Sequence, residues 1–133
     1  MIELFMAGAM AATFMIHDTE IAVPTNIEDL ETAQFRKPIY YAQRHGMAAE
    51  RLAKKANCKM PSAEQWVHAR IEAAILVSPR GRLLKVVPVE SGCRPLEDYT
   101  VKHLSKYASK IAPIPPGGKS KWYRTAMYFR WPE

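Results

Sequence analysis

Residues 36–133 predict an α+β domain, a three-stranded antiparallel sheet packed by helices, in the order α-β-β-α-β. Three observations carry the expectation. From Val67 onward apolar residues recur at every second position, the period of a strand with one buried face. Before that strand and after its partner lie stretches whose apolar residues recur at helical spacing. The chain then closes on Trp122–Trp131, rich in the aromatic and β-branched types that suit a pleated, half-buried surface.

At 133 residues there is room for one domain with a modest core and an arm of a few dozen residues. A hydrophobic share of 48% and a charged share of 24% are ordinary for a globular protein and exclude a disordered or multi-span chain. The net charge of +6 conceals an asymmetry that sets the boundary. Residues 1–35 hold no Lys or Arg but six acids, and form an acidic arm. Residues 36–133 hold all 19 basic residues against seven acids, a balance of +12. Such a body attracts acidic proteins, anionic lipid, nucleic acid or its own arm.

Within the arm, residues 4–16 (LFMAGAMAATFMI) are the most apolar stretch. A bilayer span needs about 20 residues, and a secretory signal needs a basic leading segment that Met1, Ile2 and Glu3 do not supply. The segment is therefore expected to pack as a helix or strand on the body, on a partner or against a membrane surface. A clipped signal or a membrane segment is the alternative. Residues 17–32 read as an acidic strap broken by Pro24, with Thr25 or Asn26 able to cap a short turn.

Residues 39–56 read as the first helix, with Pro38 in a tolerated first-turn position and Tyr40, Met47, Ala48 and Leu52 as its apolar stripe. Gly46 is a place for a kink or break. Asn57–Pro61 ends it, and Ser62 with Gln65 suggests a capping box for one further turn. The first strand alternates Val67, Ala69, Ile71, Ala73, Ile75 and Val77 with His68, Arg70, Glu72 and Ala74. Ser78-Pro79-Arg80-Gly81 supplies a turn, and residues 82–90 return as the second strand of a hairpin. Pro88 cannot donate to a ladder, so it marks an edge or a bulge. Ser91-Gly92 closes that strand and Pro95 opens a helix reaching about Ile111. Leu96, Thr100, Leu104, Tyr107, Ala108 and Ile111 trace its inward face, with Lys102, Lys106 and Lys110 as a lysine ridge on another. A Pro- and Gly-rich loop at 112–118 precedes the closing strand.

Cys58 precedes the first strand and Cys93 follows the second, and these ends of an antiparallel hairpin lie on the same side of the sheet. In an oxidising compartment a disulfide between them is feasible. No metal or cofactor is expected, since His17, His45, His68 and His103 have no ligand spacing and are expected at the surface. No nucleophile elbow, phosphate loop or dinucleotide fingerprint occurs, and Glu97-Asp98 suits the first turn of a helix. The chain is read as non-catalytic.

The punctuation of the domain resembles the carboxy-terminal domain of the TonB and TolA energy-transducing proteins. The elements that carry the likeness are RIEAAILV at 70–77, Pro79-Arg80-Gly81-Arg82-Leu83, VPVESG at 87–92, Leu96-Glu97, APIPPGG at 112–118 and YRTAMYFRW at 123–131. The family's glycine before the first strand is replaced by Gln65-Trp66-Val67, and its serine before Ser-Gly by Glu90. What the resemblance implies is the fold and a mode of partner binding, a strand added to a free sheet edge, and it leaves open whether energy transduction is involved. It implies a periplasmic interaction module docking onto a larger envelope complex, such as an outer-membrane transporter component or secretion machinery. Homo-oligomers fit the same mode.

On the closing strand Trp122 and Tyr128 share one face with Arg124 and Arg130, while Tyr123, Phe129 and Trp131 share the other. Aromatic and Arg residues are the usual anchors of interfaces. Trp122, Arg124, Tyr128, Phe129, Arg130 and Trp131 are accordingly the candidate partner-binding residues. The rival reading is a small basic nucleic-acid-binding protein, with the +12 body and the lysine ridge as an electrostatic track.

Overall fold

The computed structural model describes residues 22–133. The expectations for residues 4–16 lie outside the described residues. A 3-10 turn at Ile27–Asp29 is followed by helix α1 (Gln43–Lys55) and by strands β1 (Ser62–Ala63), β2 (Trp66–Val77) and β3 (Leu83–Pro88). Helix α2 (Arg94–Tyr107), a 3-10 turn at Pro116–Gly118 and strand β4 (Lys121–Pro132) complete the domain. The class is α+β in the expected order, with one strand more than expected.

The twelve-residue β2 is the axis of the sheet. Its alternating residues pair antiparallel with β4 along its whole length, from Trp66↔Pro132 to Val77↔Lys121. The opposite flank is shared by β1, at Trp66 and Val67, and β3, at Ala73–Val77. The additional strand arises where a capping box was expected. Glu64 and Gln65 take positive φ values of 53° and 71°, the signature of a two-residue turn whose twist matches the strands. The Ser62 hydroxyl bonds Glu133 instead of capping a helix. The Pro61 carbonyl accepts from the His68 N–H at 2.9 Å and so prolongs the ladder.

The β2–β3 turn forms as its sequence dictates. Gly81 sits at φ +79°, and a Cβ there would stand 2.9 Å from the Ala112 carbonyl. Pro88 faces Ala73, whose backbone bonds run to β4 on the far side. The ladder to β3 instead runs through Glu72, which accepts from the Val89 N–H. The N–H that proline lacks is therefore one the sheet does not use.

Both helices lie on one face, α1 against β4 and α2 against β3 and β2. There Ile71, Ile75, Leu96, Leu104 and Phe129 are fully buried, each worth roughly 1.5–3 kcal/mol of transfer free energy. Of the expected inward face of α2, Leu96, Thr100, Leu104 and Ala108 are fully buried, whereas Tyr107 and Ile111 are half-buried and the helix ends at Tyr107, short of the expected Ile111. The inward face of α1 is rotated from the expected stripe. Tyr40 precedes the helix and Met47 is half exposed, whereas His45, Gly46, Ala49 and Ala53 are buried. Small residues win this face because the helix lies close on the sheet. A Cβ on Gly46 would stand 2.8 Å from the Arg130 carbonyl, so Gly46 is a point of contact and not a break.

The helix ends explain the crosslink. Asn57 takes φ 55° after α1, with its N–H bonded to the Lys54 carbonyl and that of Cys58 to the Ala53 carbonyl. This is a Schellman closure with Asn in the left-handed position. It turns Cys58 toward Cys93, which caps α2, and the two form a disulfide with Cα atoms 5.4 Å apart. Glu97, buried in the first turn of α2, accepts from the N–H and the hydroxyl of Ser91 at 2.7 and 2.8 Å. Its role is thus to hold the Ser91-Gly92 turn, more than an interaction with the helix dipole alone.

The described part of the acidic arm is laced onto the body. Asn26 caps the first 3-10 turn. Glu31 and Ala33 then bond the backbone of Arg124 on the outer border of β4, and Arg36 donates to the carbonyls of Gly81, Lys110 and Ala112.

Candidate functional site

Because side chains alternate across a strand, the even-numbered positions of β2 and β4 point away from the helices. Those positions pair directly, which sets His68 opposite Arg130, Arg70 opposite Tyr128, Ala74 opposite Arg124 and Leu76 opposite Trp122. The result at one end is a ladder of rings and guanidinium groups. Arg70 donates to the Tyr128 hydroxyl at 2.8 Å and pairs with Glu72. The hydrogen bond to Tyr128, then that to Glu72, pushes the Arg70 pKa above its ordinary value. The Arg130 guanidinium stands 4.6 Å from the Trp66 ring, a cation–π contact. Tyr128 is 64% exposed and Trp66 38%.

The expected contact residues separate into three groups. Tyr128 and Arg130 lie on this open face, exposed. Trp122 and Arg124 share the face but are half-buried, and Arg124 is engaged by the Thr32 hydroxyl at 3.1 Å. The Trp122 Nε1 is buried and has no hydrogen-bond partner among the described residues. Phe129 and Trp131 lie on the opposite, covered face of the sheet. Their odd positions put them under the helices, where they are 1% and 4% exposed and packed with Ile71, Leu96 and Leu104. Trp66, His68 and Arg70 belong on the open face and were not selected from sequence. Their signal was the period-two alternation that already placed His68 away from the core.

The border of β4 is less free than expected. Arg124 exchanges backbone bonds with Glu31 and Ala33 at 2.9 and 2.8 Å, and Gly46 of α1 lies against the Arg130 carbonyl. Between these points residues 35–39 stand off from Thr125–Tyr128 and leave a groove of about 580 Å³. The same alternation that turns Arg124 outward turns the backbone of Ala126 and Tyr128 into that groove. The edge available to a partner strand is thus two residues long.

The helix side holds the departure among the histidines. His45 and His103, expected at the surface, are 5% and 3% exposed, with ring centroids 4.6 Å apart. The Ala42 N–H donates to His45 Nδ1 at 2.8 Å, so the neutral ring carries its proton on Nε2. His103 Nε2 lies 2.8 Å from the Tyr40 carbonyl, which can only accept, so that nitrogen is protonated. Tyr40, Tyr41, Tyr99 and Tyr107 pack around the pair. Burial, then the charges of Arg44 and Lys106, lowers the pKa of His45. Burial also lowers that of His103, against the opposing Tyr40 hydrogen bond. His68 is exposed and His17 lies outside the described residues. Among the described residues no group of three His, Cys, Asp or Glu side chains is placed to hold a metal.

The Cys58–Cys93 disulfide is compatible with an extracytoplasmic address. Among the described residues no helix is long and apolar enough to cross a membrane. No family model, curated protein or solved structure matches the chain.

Proposed function

We propose that this protein is a non-catalytic interaction module of the periplasm, docking through the open sheet face onto a larger cell-envelope complex such as a transporter or secretion machine. The observation that carries the reading is the ladder of Trp66, Arg130, Tyr128 and Arg70, displayed on a sheet face that neither helix covers. Arg and large aromatic side chains lose little conformational freedom when already stacked, and their burial dominates binding energies. The resemblance of the sequence punctuation to TonB and TolA carboxy-terminal domains, together with the disulfide, supports the envelope setting.

The two-residue edge makes main-chain pairing a minor contribution. Side chains of the face supply most of the contact, and the backbone at Ala126 and Tyr128 fixes the register of a partner strand in the groove. Affinity capture from envelope fractions tests this. The intact protein should retain a partner, and Tyr128→Ala or Arg130→Ala should each weaken that contact by more than about 1 kcal/mol. Retention unaffected by both substitutions would refute the proposed face.

A further inference from the structure

We infer that the groove between α1 and α2 is a binding site for a phosphate-bearing anion. The groove, of about 350 Å³, is walled by Arg44 and Arg51 of α1 and by Lys102 and Lys106 of α2, and floored by His45 and His103. No acidic residue lines it. The nearest acids along the two helices are committed elsewhere, Glu50 to Lys54 at 2.7 Å and Asp98 to Arg94 at 3.4 Å.

Four cations in one recess repel each other, and that repulsion is relieved when an anion enters. Their neighbours are polarised in the same sense. The Tyr107 pKa, which desolvation would raise, is lowered by the nearby Arg44 and Lys106. Lys106 also stands 5.3 Å from the Tyr107 ring and Arg44 5.5 Å from that of Tyr40. Among the described residues His45 Nε2 and His103 Nδ1 have no hydrogen-bond partner, so the first offers an N–H to a ligand oxygen. The second becomes a donor once protonated. A phosphate, with several acceptor oxygens and up to two charges, matches such a set better than a single carboxylate.

The site is separate from the proposed docking face, since it lies between the helices on the covered side of the sheet. It was not visible in the sequence because Arg44 and Arg51 are 51 to 62 residues from Lys102 and Lys106. The lysine ridge supplied one wall, and Cys58–Cys93 fastens the end of α1 to the start of α2, which brings the other wall to it.

The experiment is a titration of the intact protein with inorganic phosphate, followed through the imidazole NMR signals of His45 and His103, with sodium chloride at matched ionic strength as the control. Saturable shifts of both rings with phosphate and not with chloride are expected. A vesicle arm, phosphatidylcholine alone against phosphatidylcholine with phosphatidylglycerol, distinguishes a lipid headgroup from a free phosphate ester. Binding only to the anionic vesicles assigns the headgroup, and phosphate binding without vesicle binding assigns the soluble ligand. Arg44→Gln with Lys106→Gln should weaken whichever ligand binds at least tenfold, as should Arg51→Gln with Lys102→Gln, while Lys85→Gln on β3 should not. Absence of binding in both arms, shifts equalled by chloride, or binding insensitive to both double variants would overturn the inference.

Discussion

The open sheet face and the cleft between the helices are built from the same residue types, aromatic rings among basic side chains, yet they are wired differently. On the sheet the cations are spent on partners from the same chain. Arg70 engages Tyr128 and Glu72, Arg130 lies by Trp66, and Arg124 holds Thr32. In the cleft the cations crowd two buried neutral histidines with no carboxylate among them. The first arrangement presents side chains already stacked or hydrogen-bonded within the chain, with Arg70 also paired to Glu72, the chemistry of a protein contact. The second keeps an uncompensated positive field. The two surfaces are also held in place differently. The sheet face rests on twelve paired positions of β2 and β4, and the cleft rests on how two short helices are clamped.

Removing the clamp should break the symmetry of the comparison most strongly. The disulfide closes a loop of 35 residues, so reduction or Cys93→Ser should cost about 3–4 kcal/mol in the chain-entropy description. Urea unfolding with and without reductant measures that loss. Hydrogen exchange should show α1 and α2 losing protection before β2 and β4.

A smaller effect is expected where α1 touches the sheet. Gly46→Ala would gain up to about 1 kcal/mol of helix propensity. The new Cβ, however, would meet the Arg130 carbonyl at 2.8 Å and the Tyr41 hydroxyl at 2.9 Å. Net destabilisation of about 1–3 kcal/mol should appear in thermal or urea unfolding, and a stabilised variant would show that the helix sits farther from β4.

The open face itself should tolerate change. Tyr128→Phe removes the hydroxyl that bonds Arg70 and keeps the ring, so its effect on unfolding should stay within about 0.5 kcal/mol. Partner capture, in contrast, should weaken measurably if the Arg70–Tyr128 pair preorganises the contact.

Acidification probes the cleft alone. His45 and His103 have lowered pKa values in the folded state, first because they are buried and then because Arg44 and Lys106 lie near His45, and His45 and Lys106 near His103. The unfolded chain, with ordinary histidines near 6.5, then binds more protons as pH falls below that value. Stability should be intact above it and decline on acidification. A melting temperature unchanged between pH 7 and pH 5 would contradict the burial of the two rings.

The fold was legible wherever its period is local. The alternation from Val67 to Val77, the turn at Gly81 and most of the inward stripe of α2 follow from neighbours within a strand, a turn or a helix. What stayed hidden depended on contacts distant in sequence. Glu64 and Gln65 are not residues that advertise a positive-φ turn, so β1 was unseen. The stripe of α1 was misplaced because large apolar residues were favoured over Gly46, Ala49 and Ala53, which are small for the sake of a close approach. Half of the open sheet face was legible, since parity alone sets Tyr128 and Arg130 apart from Phe129 and Trp131. The strap that shortens the edge of β4 could not be read from composition, because Arg36 is fixed by three carbonyls far along the chain.

The most direct test of the docking face is site-specific photo-crosslinking in intact cells, with the reactive side chain at position 128 in one variant and at position 84 in another. Leu84 is also exposed, at 56%, but lies on β3 away from the ladder. The expected result is a discrete adduct with an envelope protein from position 128 and none from position 84. Adducts from position 84 alone, or the same adducts from both, would contradict it.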